Sequence, residues 1–404
     1  MIPFSPPRMD ERIVEEVTAA LTSGWITTGP RTKKFEAMLT SYGGHKSTLC
    51  VSSASAGLEL VLRWFGVKEG DEVIIPAYTY AATANVVVHC GAKPVFVDVD
   101  DDFNISIEAV KKAINPRTKV IMPVDIGGWP AKYDELNQLV QEPSLKQLFV
   151  PHTHEQRQLE RILILSDAAH SIGAEVNSKK TGALTDITVY SFHAVKNLTT
   201  AEGGAICLNL PEPIKNDDVY RILNIKSLHG QNKDALAKTQ IGNWRYDIVE
   251  AGYKCNMTDI QAAIGIVELQ RYDEDMLAKR KQIFDTYASA FSKHAWAKVP
   301  VYETETQKSS YHVFLLRINN ITEEQRDRMI STIFAQNVSV NVHFVPLPMM
   351  TFYKSLGYSI NDYPNAYLNY SCEISLPVYY DLTLEQVNRV IQVVEAAWTE
   401  VAGK

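Results

Sequence analysis

The chain is short of paired cysteine, of net positive charge and of long apolar runs, and each shortage closes a class of function. Its five cysteines, Cys50, Cys90, Cys207, Cys255 and Cys372, stand far apart with no C-x-x-C pair. That argues against a disulfide framework and against a zinc knuckle. A formal net charge of -7 gives no basis for binding nucleic acid or an anionic membrane. No apolar stretch is long enough to span a bilayer. Met1 to Asp10 has no basic region followed by an apolar one, so no secretory signal is expected and the expected compartment is the cytoplasm. No internal repeat, low-complexity segment or G-x-G-x-x-G turn after the first strand is present.

What is present is ordinary globular material: 404 residues, 46% hydrophobic and 22% charged, long enough for two to three domains and a large core. Val14 to Leu21 has helical spacing and stops before Gly24. From Thr48 onward short apolar runs alternate with helical stretches. Strands are predicted at Thr48–Ser52, Asp71–Pro76, Pro94–Asp98, Lys119–Pro123, Arg161–Leu165, Thr185–Phe192 and Gly203–Leu208. Helices are predicted around 55–65, 105–115 and 131–141. Continuous apolar strands divided by helices imply an α/β fold with a mainly parallel sheet covered on both faces.

A long helical pattern from about Met257 to Phe291 leads out of this large domain, expected to cover 1–265. The remainder, 266–404, reads as a smaller C-terminal α/β domain. It has strands at Tyr311–Arg317 and Val338–Val342, a helix near 323–336 and a closing helix from Leu384 to Trp398. Residues 143–160 look inserted. They carry His152-Thr-His154, with no carboxylate or thiol close in sequence, so a solvated loop is expected there rather than a metal site.

The chemistry sits around Lys196, in Ser191-Phe-His-Ala-Val-Lys-Asn-Leu-Thr-Thr-Ala-Glu-Gly-Gly204, and Asp167, in Asp167-Ala-Ala-His170 after an apolar run. A lysine amine can hold an aldehyde as a Schiff base, and an upstream carboxylate can keep a pyridine nitrogen protonated. Pyridoxal phosphate (PLP) chemistry requires both. A phosphate ester also needs convergent donors, most simply at a helix N-terminus. Ser53-Ala-Ser-Ala-Gly57 follows a predicted strand and opens a helix, Ser55 adds a hydroxyl, and Ser191 is a second candidate donor. Tyr80, just past a strand end, is a candidate platform for the ring. Each residue alone has a purely structural reading: an N-capping serine, a core tyrosine, a capping aspartate, a surface lysine. The joint pattern carries the argument.

That pattern resembles the DegT/DnrJ/EryC1/StrS family of nucleotide-sugar aminotransferases, PLP enzymes of fold type I. The resemblance runs from Ser23-Gly-Trp-Ile-Thr-Thr-Gly-Pro30 to Ser375-Leu-Pro377. It includes Phe96-Val-Asp98, Ser166-Asp-Ala-Ala-His170, the Lys196 block, Gly252-Tyr-Lys-Cys-Asn-Met-Thr-Asp259 and His343-Phe-Val-Pro346. It implies that Lys196 bonds the cofactor and that Asp167 pairs with the pyridinium nitrogen. His170 would lie near the 3-hydroxyl, with Ala169 on one ring face and Tyr80 on the other. The phosphate would meet the amides of Ala54 and Ser55 and the hydroxyls of Ser55 and Ser191. Asn256, from the neighbouring subunit of a homodimer, would complete that site. No metal is implied.

The chain departs from the family pattern in three places. Ala54-Ser55 replaces Gly-Thr in the phosphate turn, Pro123-Val-Asp125 replaces Pro-Val-His, and Cys255 replaces an aromatic, which would widen the neighbouring pocket. By resemblance, L-glutamate is the amino donor. The acceptor is a nucleotide-linked keto sugar, with a UDP-linked 4-keto-6-deoxy-hexosamine preferred and C3 amination of a dTDP- or GDP-sugar as the alternative. The product would feed polysaccharide or glycan assembly. Three rivals have less support. A PLP-dependent sugar dehydratase typically has histidine in place of Lys196. A non-catalytic regulator would not need the complete Lys196, Asp167, Ser191 and Asn256 set. A nicotinamide-dependent oxidoreductase would need the missing glycine-rich turn.

Overall fold

The computed structural model describes residues 1–233 and 245–402. The strands of the first half are β1 (Ser47–Val51), β2 (Glu72–Pro76), β3 (Lys93–Val97), β4 (Thr118–Ile121), β5 (Leu163–Asp167), the two-residue β6 (Glu175–Val176) and β7 (Lys179–Lys180), β8 (Ile187–Ser191) and β9 (Gly204–Leu208). Seven of them form one sheet in the order β1-β9-β8-β5-β4-β2-β3. From β8 to β3 every neighbouring pair is parallel. Only β9 runs against its neighbours, antiparallel to both β1 and β8. The expected mainly parallel sheet is therefore present.

Both faces are covered, and alternation along β9 shows how. Ile206 and Leu208 join the core cluster that holds Leu58 and Val61 of helix Ala54–Trp64. Ala205 and Cys207 join the opposite one, with Phe35 of helix Pro30–Gly43 and Ile266 of helix Asp259–Gln270.

Beyond residue 290 lie β10 (Ala297–Lys298), β11 (Gln307–Lys308), β12 (Phe314–Ile318) and β13 (Glu373–Leu376). The order β10-β12-β13 makes a small antiparallel sheet, which packs with helices Ala278–Phe291, Glu323–Ala335 and Leu384–Val401 into a separate core cluster. Strand β12 serves both bodies. Phe314 and Leu316 join this small core, while Leu315, with Val313 just before the strand, faces the large one.

Four predicted elements differ. The strand expected from Tyr311 begins only at Phe314, because Tyr311 sits in the left-handed region (φ 55), which a strand cannot accommodate. Val338–Val342 forms no strand and makes only isolated bridges, Ile2 with Val338 and Asn341 with Ser375. The long helix after Met257 is divided by a wider turn at Tyr272–Leu277. The 143–160 segment is not a plain loop but two short helices, Pro143–Leu148 and His154–Leu159, the second capped by Thr153, which accepts from the Gln156 amide. His152 lies 3.8 Å from Asp71. No metal-ligating group of three or more such side chains occurs among the described residues, nor any helix long and apolar enough to cross a membrane.

Candidate active site

The C-terminal ends of the parallel strands converge on a cavity of about 340 Å³. This is where ligands bind in open α/β sheets. Asp167 is the last residue of β5 and Ser191 the last of β8, while Tyr80 follows β2 by four residues. All three line the cavity, as do Ala169, His170 and Lys196.

The helix that starts at Ala54 aims its N-terminus at the same space. Ser53 caps it by accepting from the Ala56 amide at 3.1 Å. The capping role therefore falls to Ser53, and the exposed Ser55 is left with its hydroxyl at the cavity beside Ala54. The first turn of any helix has backbone N–H groups without intrahelical acceptors, which together with the helix dipole favours an anion there. Strand β9 crosses close behind. A Cβ on Gly204 would lie 2.6 Å from the Ala54 nitrogen, so only glycine lets the strand and helix end approach this far.

Asp167 is 6% exposed. Burial raises its carboxyl pKa, opposed by hydrogen bonds from the Thr83 hydroxyl (2.8 Å) and the Ala169 amide (3.4 Å) and by the positive charge of Lys196. Burial lowers Lys196 to about 8, against the opposing pull of Asp167. Its amine is thus much closer to neutrality than an ordinary lysine, as a nucleophile or proton carrier requires. His170 is pushed well below its usual value by burial, then by Lys196 and His343, so it is a neutral imidazole. Its Nδ1 is buried without a hydrogen-bond partner.

Eight of the nine expected site residues line this one cavity; Asn256 does not. Asn256 bridges to Val51 and donates to the Thr28 hydroxyl at 2.6 Å, on the far side of β1 from the lysine loop. Tyr80 stands at the rim, 64% exposed, its ring 5.8 Å from that of Phe344. Asp125 faces inward. It is fully buried, and it accepts from Tyr133 (2.6 Å), Ser171 (2.5 Å) and the Ala131 amide (2.8 Å), with burial pushing it up to about 6. Cys255 is half-buried against the large core, and its carbonyl accepts from the Ser52 amide.

Further residues belong to the site without having been read from the sequence. Thr83 holds Asp167 and is itself held by Thr79 at 2.8 Å. It lies three residues after Tyr80 in a helix, Ala81–His89, not predicted from the sequence. Asn197 ties the lysine loop to the segment leading into β12, donating to the Ser310 carbonyl at 2.7 Å and sharing a 2.7 Å hydrogen bond with His312. The His312 ring lies 4.4 Å from that of His170, and Phe344 stacks on His170 at 5.8 Å. Phe4 and Ser5 close the far wall; Ser5 donates to the Val195 carbonyl at 3.2 Å.

These groups suit PLP. The orphaned His170 Nδ1 can meet a ring hydroxyl, the buried Asp167 carboxylate a protonated ring nitrogen, and the helix end a phosphate.

Comparison with known proteins agrees. The DegT/DnrJ/EryC1/StrS aminotransferase family matches residues 7–395. The putative sugar aminotransferase Spr1654 of Streptococcus pneumoniae, solved in PMP and PLP forms, superposes in its PMP form with a TM-score of 0.95. It is 42% identical, over 99% of this chain and 100% of that one. The spore coat polysaccharide biosynthesis protein SpsC of Bacillus subtilis is 32% identical over 97% of this chain and 96% of its own. PseC of Helicobacter pylori, an aminotransferase involved in pseudoaminic acid biosynthesis, is 26% identical with a TM-score of 0.86, covering 99% of both chains. The chain belongs to the DegT/DnrJ/EryC1/StrS aminotransferase family and is a PLP-dependent sugar aminotransferase.

Proposed function

We propose that this enzyme moves the amino group of L-glutamate to C4 of a nucleotide-linked keto sugar, a UDP-4-keto-6-deoxy-hexosamine, in the supply of a polysaccharide or glycan. The observation that carries the amino-transfer reading is the meeting of Lys196, Asp167 and the N-terminus of helix Ala54–Trp64 in one cavity. The sugar reading is supported by Spr1654, SpsC and PseC, whose names point to sugar amination, spore coat polysaccharide biosynthesis and pseudoaminic acid biosynthesis.

When bound, PLP supplies an aldehyde and an electron-accepting ring. The chain supplies the rest. Lys196 Nζ would hold the cofactor and would remove and return the donor's α-proton. Its pKa near 8 keeps a useful share of the amine unprotonated. Asp167, steadied by Thr83, holds a proton on the ring nitrogen. His170 accepts from the 3-hydroxyl. Ala169 and Tyr80, both lining the cavity, would cover the two ring faces. The Ala54 and Ser55 amides with the Ser55 and Ser191 hydroxyls hold the phosphate.

Asn256 completes the phosphate site of the partner subunit in a homodimer. Two observations support this: Asn256 stands apart from its own chain's cavity, and the nearby segment exposes Ile248, Val249 and Tyr253. Residues 1–265 then form the cofactor-binding domain and 266–404 the smaller one, in a cytoplasmic enzyme.

The experiment is amination of UDP-, GDP- and dTDP-linked 4-keto and 3-keto sugars with L-glutamate, the product's regiochemistry read by NMR. C4 amination of the UDP-sugar is expected. Exclusive C3 amination would reject the proposed acceptor, and no amination of any would reject the sugar nucleotide class. Mixing Lys196→Ala with Asn256→Ala subunits should restore activity that neither has alone, if the site is shared.

A further inference from the structure

Two sequence motifs, His343-Phe-Val-Pro346 and Ser375-Leu-Pro377, have no assigned role in the cofactor site, yet the fold joins them just behind the cavity wall that His343 and Phe344 form. The Asn341 and Ser375 backbones pair through two hydrogen bonds of 3.1 and 2.8 Å. That pairing brings His343, two residues on, over the Ser375 side chain. His343 Nδ1 and Ser375 Oγ are 2.9 Å apart. Ser375 Oγ lies 2.5 Å from Glu373 Oε1, two residues back on the same face of β13. The His343 backbone N–H donates to the other Glu373 oxygen at 3.1 Å. Glu373 and Ser375 are fully buried, and the charges nearest the carboxylate are engaged elsewhere: Arg317 with Asp101 and Arg326 with Asp327.

The His343 ring is fixed in its plane, stacked on Phe4 at 5.4 Å and edge-on to Phe344 at 5.0 Å. With Nδ1 turned to Ser375, the ring edge bearing Nε2 is the one left for the cavity. We propose that Glu373, Ser375 and His343 form a proton relay that sets whether His343 offers a hydrogen-bond donor or an acceptor to the ligand in the cavity.

The relay has two states. With Glu373 ionised, Ser375 donates to it, His343 Nδ1–H donates to Ser375, and Nε2 presents a lone pair. When a proton from the cavity bonds to Nε2, the Nδ1 proton passes to Ser375 Oγ and the hydroxyl's own proton passes to Glu373 Oε1. One N–H bond forms and one breaks, the hydroxyl exchanges its hydrogen, and one proton ends on the carboxyl. His343 is neutral in both.

Burial pushes Glu373 up to about 8, opposed by its hydrogen bonds from Ser375 and the His343 amide and by Arg326 and Arg317; Tyr78 and Cys372 also face it. Burial holds His343 down at about 4, with Lys196 adding to the effect; His170 and His312 share that space and are likewise held neutral by burial. Near neutral pH the ring therefore presents Nε2–H, and with Glu373 ionised it presents an acceptor. The inference rests on the cavity being the substrate site. Its readout needs no sugar, so its failure is separate from failure of the amination reading.

The test is NMR of holoenzyme labelled with 15N at histidine, the His343 signals assigned by loss in His343→Gln. As pH rises through about 8 the Nε2–H form should give way to Nδ1–H. Ser375→Ala and Glu373→Gln should each abolish the change while the bound cofactor keeps its visible absorption. Ser375→Thr, which keeps a hydroxyl, should retain it. A wild-type tautomer that never changes overturns the relay. So does a change that survives in Ser375→Ala, since that would report Lys196 instead. Should Ser375→Ala not fold, Glu373→Gln with Ser375→Thr decides on the same terms.

Discussion

The floor and the roof of the cavity are built in different ways. The floor is made of strand ends and one helix end: Ala54 after β1, Asp167 closing β5, Ser191 closing β8, and Lys196 in the loop before β9. A parallel sheet aligns its C-terminal edges, so residues far apart in sequence become neighbours without specific long-range recognition. The roof is made of Phe4, His312, His343 and Phe344, drawn from the first residues and from loops of the small body. Its residues meet through individual contacts, such as the Asn197–His312 hydrogen bond and the His170–Phe344 stack. The floor therefore suits fixed chemistry on a cofactor, and the roof suits selection of what lies over it.

If that division holds, floor substitutions should reduce turnover and roof substitutions should raise KM. The largest effect belongs to Lys196→Ala, which under the proposed mechanism removes both the covalent hold and the proton carrier. Turnover with glutamate should fall by about 10⁴-fold or more, measured by release of 2-oxoglutarate. Next comes Asp167→Asn, which keeps the shape and loses the charge. Cofactor should still bind while kcat falls by roughly 100-fold, the upper end for a charged hydrogen bond. An unchanged rate would remove Asp167 from the role given to it.

Asp167 was legible because strand-end position is a property of local sequence. A buried apolar run followed by Asp167-Ala-Ala-His170 places a carboxylate at a sheet edge whatever the remaining fold is. Thr83 was not legible, since neither the helix that carries it nor its bond to Asp167 was read from the sequence. The roof was invisible to this reasoning. Nothing near His312 or Phe4 marks either as a wall residue, and the His343 motif gave a resemblance without a role. The same limit explains the misread elements. Hydrophobic pattern alone could not show Tyr311 turning to positive φ, nor Val338–Val342 lacking a full strand partner. Antiparallel β9 looked like any other apolar strand, its direction being set by a return loop over 192–203 that holds no crossover helix.

Smaller effects sharpen the contrast. Thr83→Val leaves Asp167 without its hydroxyl donor, and kcat should fall roughly fivefold, as for loss of about 1 kcal/mol of hydrogen bonding. A change in KM alone would place Thr83 with the roof. Phe344→Ala removes the ring over His170 and beside Tyr80, and KM for the keto sugar should rise roughly two- to tenfold with kcat nearly unchanged. A loss in kcat alone would dissolve the distinction between floor and roof.

The central claim is that Lys196 is the residue that bonds the cofactor. The direct measurement is borohydride reduction of apoprotein mixed with PLP, followed by digestion and mass mapping of the labelled lysine. Labelling should fall on the Lys196 peptide and vanish in Lys196→Ala. Its initial rate should rise as pH rises through about 8, where the buried amine loses its proton and becomes nucleophilic. Stoichiometric label on another lysine, with Lys196 unmodified, would contradict the account.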